Sequence, residues 1–390
     1  MLRLSLITLG DPQRRTGGSL YNRRLVELAP RHGARIRTHT AASSWLPVEV
    51  VRGRSLVADV RAHEPDALLV DSIAAAAVSP WFAALDGVPA VALVHQLPGG
   101  PGVDPMRPGI RARADVATYR RARVVVAVSE WLGRRLERFG VDDCAIRIAA
   151  PGRDDVGGAP APAADLRRRR RMAVLCVANW SAHKGILEAV EAVARLDPLD
   201  ACLHLVGEPR FGGAAYERRV RARIGEADVR ERAVVHGPMP PDRLRTMYAN
   251  ADVLLLPARD EAYGSVFGEA MAAGLPVVAW HDGNVPFLVR PDREGLLTAP
   301  GDVAGLARDL QRLAGDGELR RRLGAAARRR AAALATWDET TAAVLAAVLE
   351  AGSTTRRERL ASLGSHRNGK EPSHQADRKT VRSIEDTARE

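Results

Sequence analysis

The sequence predicts an α/β protein built as two Rossmann-like parallel-sheet domains that face each other across a cleft. Three observations carry this. Short apolar runs alternate with helical patterns through roughly the first 150 residues. A stretch rich in proline, alanine and arginine then breaks the alternation at residues 156–171, and it restarts at Ala173. At 390 residues the chain is too long for one ordinary core and fits two domains.

The elements follow in order. Leu2 to Leu9 reads as a buried strand, and Gly17-Gly18 then opens a helix to about Arg31. Ala67 to Val70, Ala90 to Val94 and Val124 to Val128 are further β-rich runs, each followed by a loop and a helical pattern. Residues 1–155 are thus a first domain and 156–171 a linker. The five arginines that end the linker are either a solvated face or an anion site. Strands at Ala173 to Ala178, Cys202 to Val206, Ala233 to His236, Val253 to Leu256 and Val277 to Ala279 make a second domain, residues 172–336. An alanine-rich helix is expected over 337–351, and the polar remainder, 352–390, is expected to be disordered.

Composition narrows the class. Hydrophobic residues make up 46% and charged residues 27%, so the body is globular. Cys144, Cys176 and Cys202 cannot form a disulfide framework and lack metal-ligand spacing, which fits a reduced, cytoplasmic compartment. The opening apolar run is too short for a signal peptide. The longest one, Ala67 to Leu85, holds Asp71 and Pro80 and makes a poor membrane span. Phosphate-loop, dinucleotide-glycine, Gly-x-Ser-x-Gly and His-Glu-x-x-His patterns are absent from the sequence, as is Asp-x-Asp. No convincing nucleophile is readable.

The segment Glu261-Ala-Tyr-Gly-Ser-Val-Phe-Gly-Glu269 is the strongest chemical signal. It follows a strand and runs into a helix that begins near Gly264 and Ser265. Free N–H groups at such a helix start seat a phosphate or a sugar hydroxyl, and flanking carboxylates accept from sugar and ribose hydroxyls. Lys184 is one of only three lysines, with Lys370 and Lys379, against 55 arginines, and it alone lies in the folded body. A lysine kept under such a bias points to function.

Together these stretches resemble the retaining, nucleotide-sugar-dependent glycosyltransferases of the GT-B class, the large family-four group. The Glu-x7-Glu segment, Gly17-Gly18 after the first strand, His95 after the strand Val91 to Val94, and Val128-Ser129-Glu130 with Pro151-Gly152-Arg153-Asp154 occur in the family's order. So do His183-Lys184-Gly185, Gly237 to Tyr248, and Asn250-Ala251-Asp252-Val253. The resemblance covers roughly residues 1–350. It implies a nucleotide-sugar donor as substrate, no cofactor, and a first domain that holds the acceptor side; with Asp-x-Asp absent, no metal is expected. It implies catalytic roles for Glu261, which would hold donor sugar hydroxyls, Lys184, which would neutralise the diphosphate, and His95, which would face the reacting sugar. It implies donor binding by Glu269, by the backbone of Gly264, Ser265 and Val266, and by Gly17 and Gly18. Asn179 is also expected among the donor-binding residues, near the place where the family usually has an arginine, although an amide cannot grip phosphate in two places as a guanidinium does.

The net charge is +11, and Arg107 to Arg138 holds nine basic and three acidic residues. This excess could meet an anionic membrane or an anionic acceptor, or be solvated helix faces. The expected acceptor is a carbohydrate or a lipid-linked molecule, and the expected location is cytoplasmic, peripheral at the inner membrane face if that contact forms. Sixteen aromatics give no stacking platform for nucleic acid. The rival readings are a sugar-nucleotide epimerase of the same fold and a non-catalytic carbohydrate-binding scaffold.

Overall fold

The computed structural model describes residues 1–11, 13, 16–43, 45–153 and 165–367, with side chains described no further than residue 353. The first sheet holds β1 (Leu2–Leu9), β2 (Ala34–Ala41), β3 (Ala67–Asp71), β4 (Ala90–Val94), β5 (Val124–Ala127) and β6 (Ile146–Ile148), in the order β2-β1-β3-β4-β5-β6. The second holds β7 (Met172–Val177), β8 (Ala201–Val206), β9 (Ala233–Gly237), β10 (Val253–Leu255), β11 (Val277–Trp280) and β12 (Gly295–Thr298), in the order β12-β11-β10-β7-β8-β9. All pairings are parallel. Helices cover both faces, so β3, β4, β5, β7 and β8 are buried along their whole length. That burial is why they read as continuous apolar runs.

Each sheet reverses its strand order once, between β1 and β3 and between β7 and β10. Adjacent strands there send their chains in opposite directions, which opens a crevice at their carboxyl ends. Lys184 follows β7 and Glu261 follows β10, so the second reversal brings them together.

The structure corrects three expected boundaries. The first helix ends at Leu28, and a 3-10 turn over Ala29–His32 replaces its last turn, because Pro30 lacks the N–H that continuation needs. The last helix runs Trp337–Arg367, well past the expected end at 351. Its Arg356 to Ala361 stretch has strong helix formers and no proline, and an established helix propagates through the weak formers Gly352 to Thr355. Residues 368–390 of the expected tail lie outside the described residues, as does 156–164 of the linker. The third correction is to the linker's end, which is docked. Arg167 forms a fork on Asp252 (2.9 and 2.7 Å), Arg170 reaches the carbonyls of Pro198 and Glu231, and Arg171 pairs with Asp200. Three of the five arginines are therefore spent internally.

The last helix crosses back onto the first domain. Thr340 Oγ1 donates to Ala150 O (2.7 Å), Arg147 pairs with Glu350, and Gly152 packs against the Trp337 backbone. Among the described residues no helix is long and apolar enough to cross a membrane.

Candidate active site

The second domain builds its cleft edge from interlocked loops. After β7 a short turn, Ala182–Lys184, ends at Gly185 in a left-handed conformation (φ 68°). A Cβ on Gly185 would lie 2.1 Å from Pro257 O, so glycine alone lets this loop press against the one after β10. Arg259 N–H also donates to His183 O (2.7 Å). Lys184 Nζ then donates to Glu261 Oε2 at 2.6 Å, with the two side chains 26% and 12% exposed. Burial, and next the Lys184 charge, push the neighbouring His183 down to about 4, so its imidazole is neutral at physiological pH.

A third loop fixes the Glu261 backbone. Asn284 N–H donates to Glu261 O (2.8 Å), and the Asn284 amide donates to Tyr263 O (2.9 Å). Gly283 (φ 60°) passes so close that a Cβ there would lie 2.4 Å from Glu261 N. Gly264, also left-handed, then caps the helix Ser265–Ala273. The amides of Ser265 and Val266 therefore head a helix beside the Lys184–Glu261 pair, where the dipole favours negative charge. Glu269 lies one turn further along, exposed, and accepts from Tyr248 OH (2.8 Å). Burial, and then the Glu269 charge, hold the Tyr248 phenol well above its usual range, so it keeps its proton and donates. Asn179 Oδ1 accepts from Glu208 N–H (2.9 Å), tying the loops after β7 and β8.

On the first domain, Thr16 caps the helix that Gly17 and Gly18 begin, with Ser19 N–H donating to its Oγ1 (3.2 Å). Among the described residues nothing lies within 4 Å of a Cβ built on Gly17, and the atoms nearest to one on Gly18 belong to His95, at an ordinary 3.5 Å or more. Packing among the described residues demands glycine at neither place. His95 N–H donates to Ser72 Oγ (3.2 Å), and its ring tilts against Tyr21 at 4.8 Å between centroids. Its Nε2 is enclosed without a hydrogen-bond partner among the described residues, and burial lowers its pKa, so the ring is neutral. Beneath it lies Asp71, buried, accepting from Thr8 Oγ1 (2.8 Å), Asn22 Nδ2 (2.7 Å) and Ile73 N–H (3.1 Å).

The structure thus gathers Lys184, Glu261 and Gly264 to Val266 at one place, with Glu269 along the same helix and Asn179 earlier on the loop that carries Lys184. Gly18 and His95 meet on the opposing domain. Sequence reasoning missed Gly283, Asn284 and Asp71. The signals were an Asp-Gly-Asn turn after a strand and an Asp-Ser pair ending a wholly apolar strand. It also missed an array in which Ser5 Oγ meets His39 Nε2 (3.0 Å) and His39 Nδ1 meets Asp59 Oδ2 (2.7 Å). Ser5 is fully buried inside β1 and also bonds His63 Nδ1 (2.9 Å), so this array ties β1 and β2 to a helix and has no access to substrate. Among the described residues no group of three His, Cys, Asp or Glu converges to hold a metal ion.

Two sheets facing a cleft, with a cation, a carboxylate and a helix start at the reversal point of the second, define the GT-B class. The comparisons agree. Residues 6–155 match the family model Glycosyltransferase Family 4, and residues 163–330 match Glycosyl transferases group 1. By fold and by both models, the chain belongs to the family-four type of GT-B glycosyltransferases. It is 30% identical over 248 residues to a D-inositol 3-phosphate glycosyltransferase of Acidothermus cellulolyticus, covering 59% of this chain and 55% of that protein. It is 36% identical over 135 residues to a 2-deoxystreptamine glucosyltransferase of Streptomyces kanamyceticus, 34% of each. The chain spans about half the length of the first curated relatives it matches. Among solved structures, a sucrose-phosphate synthase from Thermosynechococcus elongatus superposes with a TM-score of 0.75 at 22% identity, over 93% of this chain and 100% of that one. Anabaena HepE, solved with UDP and glucose, gives 0.70 at 20% identity over the same shares.

Proposed function

We propose that the chain transfers a sugar from a nucleotide-sugar donor to a carbohydrate or lipid-linked acceptor, with retention of anomeric configuration. The observation that carries this reading is the Lys184–Glu261 pair at the start of the helix Ser265–Ala273. As the glycosidic bond breaks, the leaving nucleoside diphosphate gains charge. Lys184 and the amides of Ser265 and Val266 stabilise that charge where it develops. Glu261, held by Lys184 and the 282–284 turn, accepts from hydroxyls of the donor sugar, and Glu269 accepts from the ribose. The diphosphate takes the acceptor's proton on the face from which it departs, so no protein nucleophile is needed. Neutral His95 meets sugar hydroxyls from the first domain, and Gly17 and Gly18 leave room for substrate to approach the backbone. HepE was solved with UDP, which supports a nucleotide donor.

The acceptor side is basic. Part of that excess is spent: Arg111 pairs with the buried Glu49, and Arg120 donates to Gly140 O. Met106 and Ile110 are 85% and 78% exposed beside Arg107 and Arg113, which supports contact with an anionic membrane surface. Several relatives are named for an anionic acceptor, D-inositol 3-phosphate. One observation favours the non-catalytic reading: Asn179 supplies no second cation, and its Oδ1 is occupied by Glu208 N–H.

The test is a thermal-shift panel of nucleoside diphosphates and their sugars, followed by an assay for nucleotide release with candidate acceptors. The proposal expects one nucleoside diphosphate to stabilise the chain, release that depends on acceptor, and a product of unchanged anomeric configuration. Release without acceptor would favour the epimerase reading. Stabilisation without any release would favour the scaffold.

A further inference from the structure

The first domain holds the Glu261 loop at two points, one on each side of the carboxylate. Ser129 lies between β5 and the helix Glu130–Arg138, which it caps by accepting from Leu132 N–H at 3.1 Å. The same oxygen lies 2.5 Å from Ala262 O on the second domain. With Leu132 donating, the hydroxyl proton is the one Ser129 can give, and it goes to Ala262. Both residues are buried, at 5% and 9% exposure. On the other side of Glu261, Gly102 N–H donates to Asp260 Oδ2 at 2.8 Å. Asp260 holds a left-handed backbone (φ 49°), rare outside glycine, so its placement depends on such contacts.

We infer that Ser129 is a positioning residue that couples cleft closure to the placement of Glu261. The bond from Ser129 to Ala262 exists only when the two domains are together. Within its own domain, Glu261 is fixed through its carbonyl by Asn284 and through its carboxylate by Lys184. Separating the domains would leave those contacts but free residues 260 and 262 on either side. The carboxylate would then be aimed loosely, and small displacements of an aligned group cost turnover steeply. The contacts proposed for the diphosphate and ribose, Lys184, the Ser265 and Val266 amides and Glu269, lie on the second domain, so affinity for a nucleoside diphosphate should be nearly indifferent to this latch. The domains have other contacts, including Arg134 over the Phe287 ring at 5.8 Å and the returning last helix, so losing one bond leaves the fold intact. The inference rests on the reading of Glu261 as the residue that holds the donor sugar.

Ser129→Asp separates the two roles of this side chain. Aspartate is as good a helix cap, but it has no proton for Ala262 O at neutral pH and sets a charge against that carbonyl. Ser129→Thr keeps both functions. Asp260→Gly removes the second hold without straining the backbone. Four quantities would be measured on the full chain: melting temperature, affinity for the nucleoside diphosphate selected by the thermal-shift panel, kcat with KM, and the radius of gyration by small-angle X-ray scattering. Ser129→Asp should melt near the parent, bind the nucleotide within about threefold, lose about 10 to 100-fold in kcat and scatter as a more open particle. Ser129→Thr should recover kcat to within about threefold of the parent. Should Ser129→Asp not fold, Asp260→Gly reads the same loss of kcat and the same opening. Parent-like kcat and parent-like scattering in folded Ser129→Asp, or in Asp260→Gly in its place, overturn the latch. If the parent itself transfers no sugar, the reading of the function fails, and the scattering alone still decides whether Ser129 holds the cleft.

Discussion

The two edges of the cleft are made differently. On the second domain the backbone does the shaping: loops after β7, β10 and β11 touch at glycines where a single methyl group would collide with a neighbouring peptide. On the first domain side chains do it: Asp71, Thr8, Asn22 and His95 form a buried polar group under a helix start that nothing among the described residues crowds. Several polar atoms there, His95 Nε2, Asn22 Oδ1 and Asp115 Oδ1, have no partner among the described residues. The lesson is that the second-domain edge, the proposed donor side, is rigid by construction, whereas the first-domain edge, the proposed acceptor side, keeps unspent hydrogen-bonding capacity among the described residues.

The largest expected effect falls on the donor edge. Glu261→Gln should lower turnover by about 100-fold or more without changing the melting temperature, because it removes the charged acceptor aimed at the sugar. Parent-like kinetics in a folded variant would remove Glu261 from the site. Next comes a direct contrast between edges. Gly283→Ala should cost about 3 kcal/mol of stability, since it adds a methyl at φ 60° only 2.4 Å from Glu261 N. Gly18→Ala, whose Cβ meets only the His95 ring at 3.5 Å, should leave the melting temperature unchanged. Equal melting of the two variants would erase the distinction.

A smaller effect probes the acceptor edge by pH. Burial pushes Asp115 up to about 6, against opposing help from Gly99 N–H and Arg111. The native state therefore holds this proton where the unfolded chain has released it. Stability from this group is greatest below about pH 4, falls as pH rises through about 6, and the cost reaches about 2 to 3 kcal/mol above that. Asp115→Asn keeps an acceptor for Gly99 and does not titrate, so its melting temperature should gain on the parent's between pH 4 and 7. A constant difference across that range would contradict the buried-acid account. The smallest expected effect is none at all: activity should survive EDTA, because in the proposed reading Lys184 and the helix amides meet the phosphate charge. Loss with EDTA restored by Mn²⁺ or Mg²⁺ would relocate the donor phosphates.

The same contrast explains what the sequence disclosed. Most of the nine legible strands stood out because burial on both faces makes them apolar runs, as in β3, β4, β5 and β7. β2 was missed because Arg35, Arg37 and His39 interrupt it, β6 because Arg147 splits a short and largely exposed strand, and β12 because only Leu296 and Leu297 are apolar between a glycine and a threonine. Lys184 and Glu261 stood out through lysine scarcity and local spacing. The contact of Ser129 with Ala262 left no local trace, since its partners are 133 positions apart. Asn179 was legible as a departure from the family pattern, but its bond to Glu208 depends on how two loops meet.

The central claim is that Lys184 is the cation that meets the donor diphosphate, and calorimetric affinity for the panel-selected nucleoside diphosphate tests it most directly. Lys184→Ala should lose about 2 to 4 kcal/mol in transition-state stabilisation and weaken nucleotide binding clearly, and Lys184→Arg should recover little, because a fork does not replace a compact point charge beside Glu261. If Lys184→Ala binds the nucleotide as tightly as the parent, the lysine only pairs with Glu261 and the phosphate site lies elsewhere.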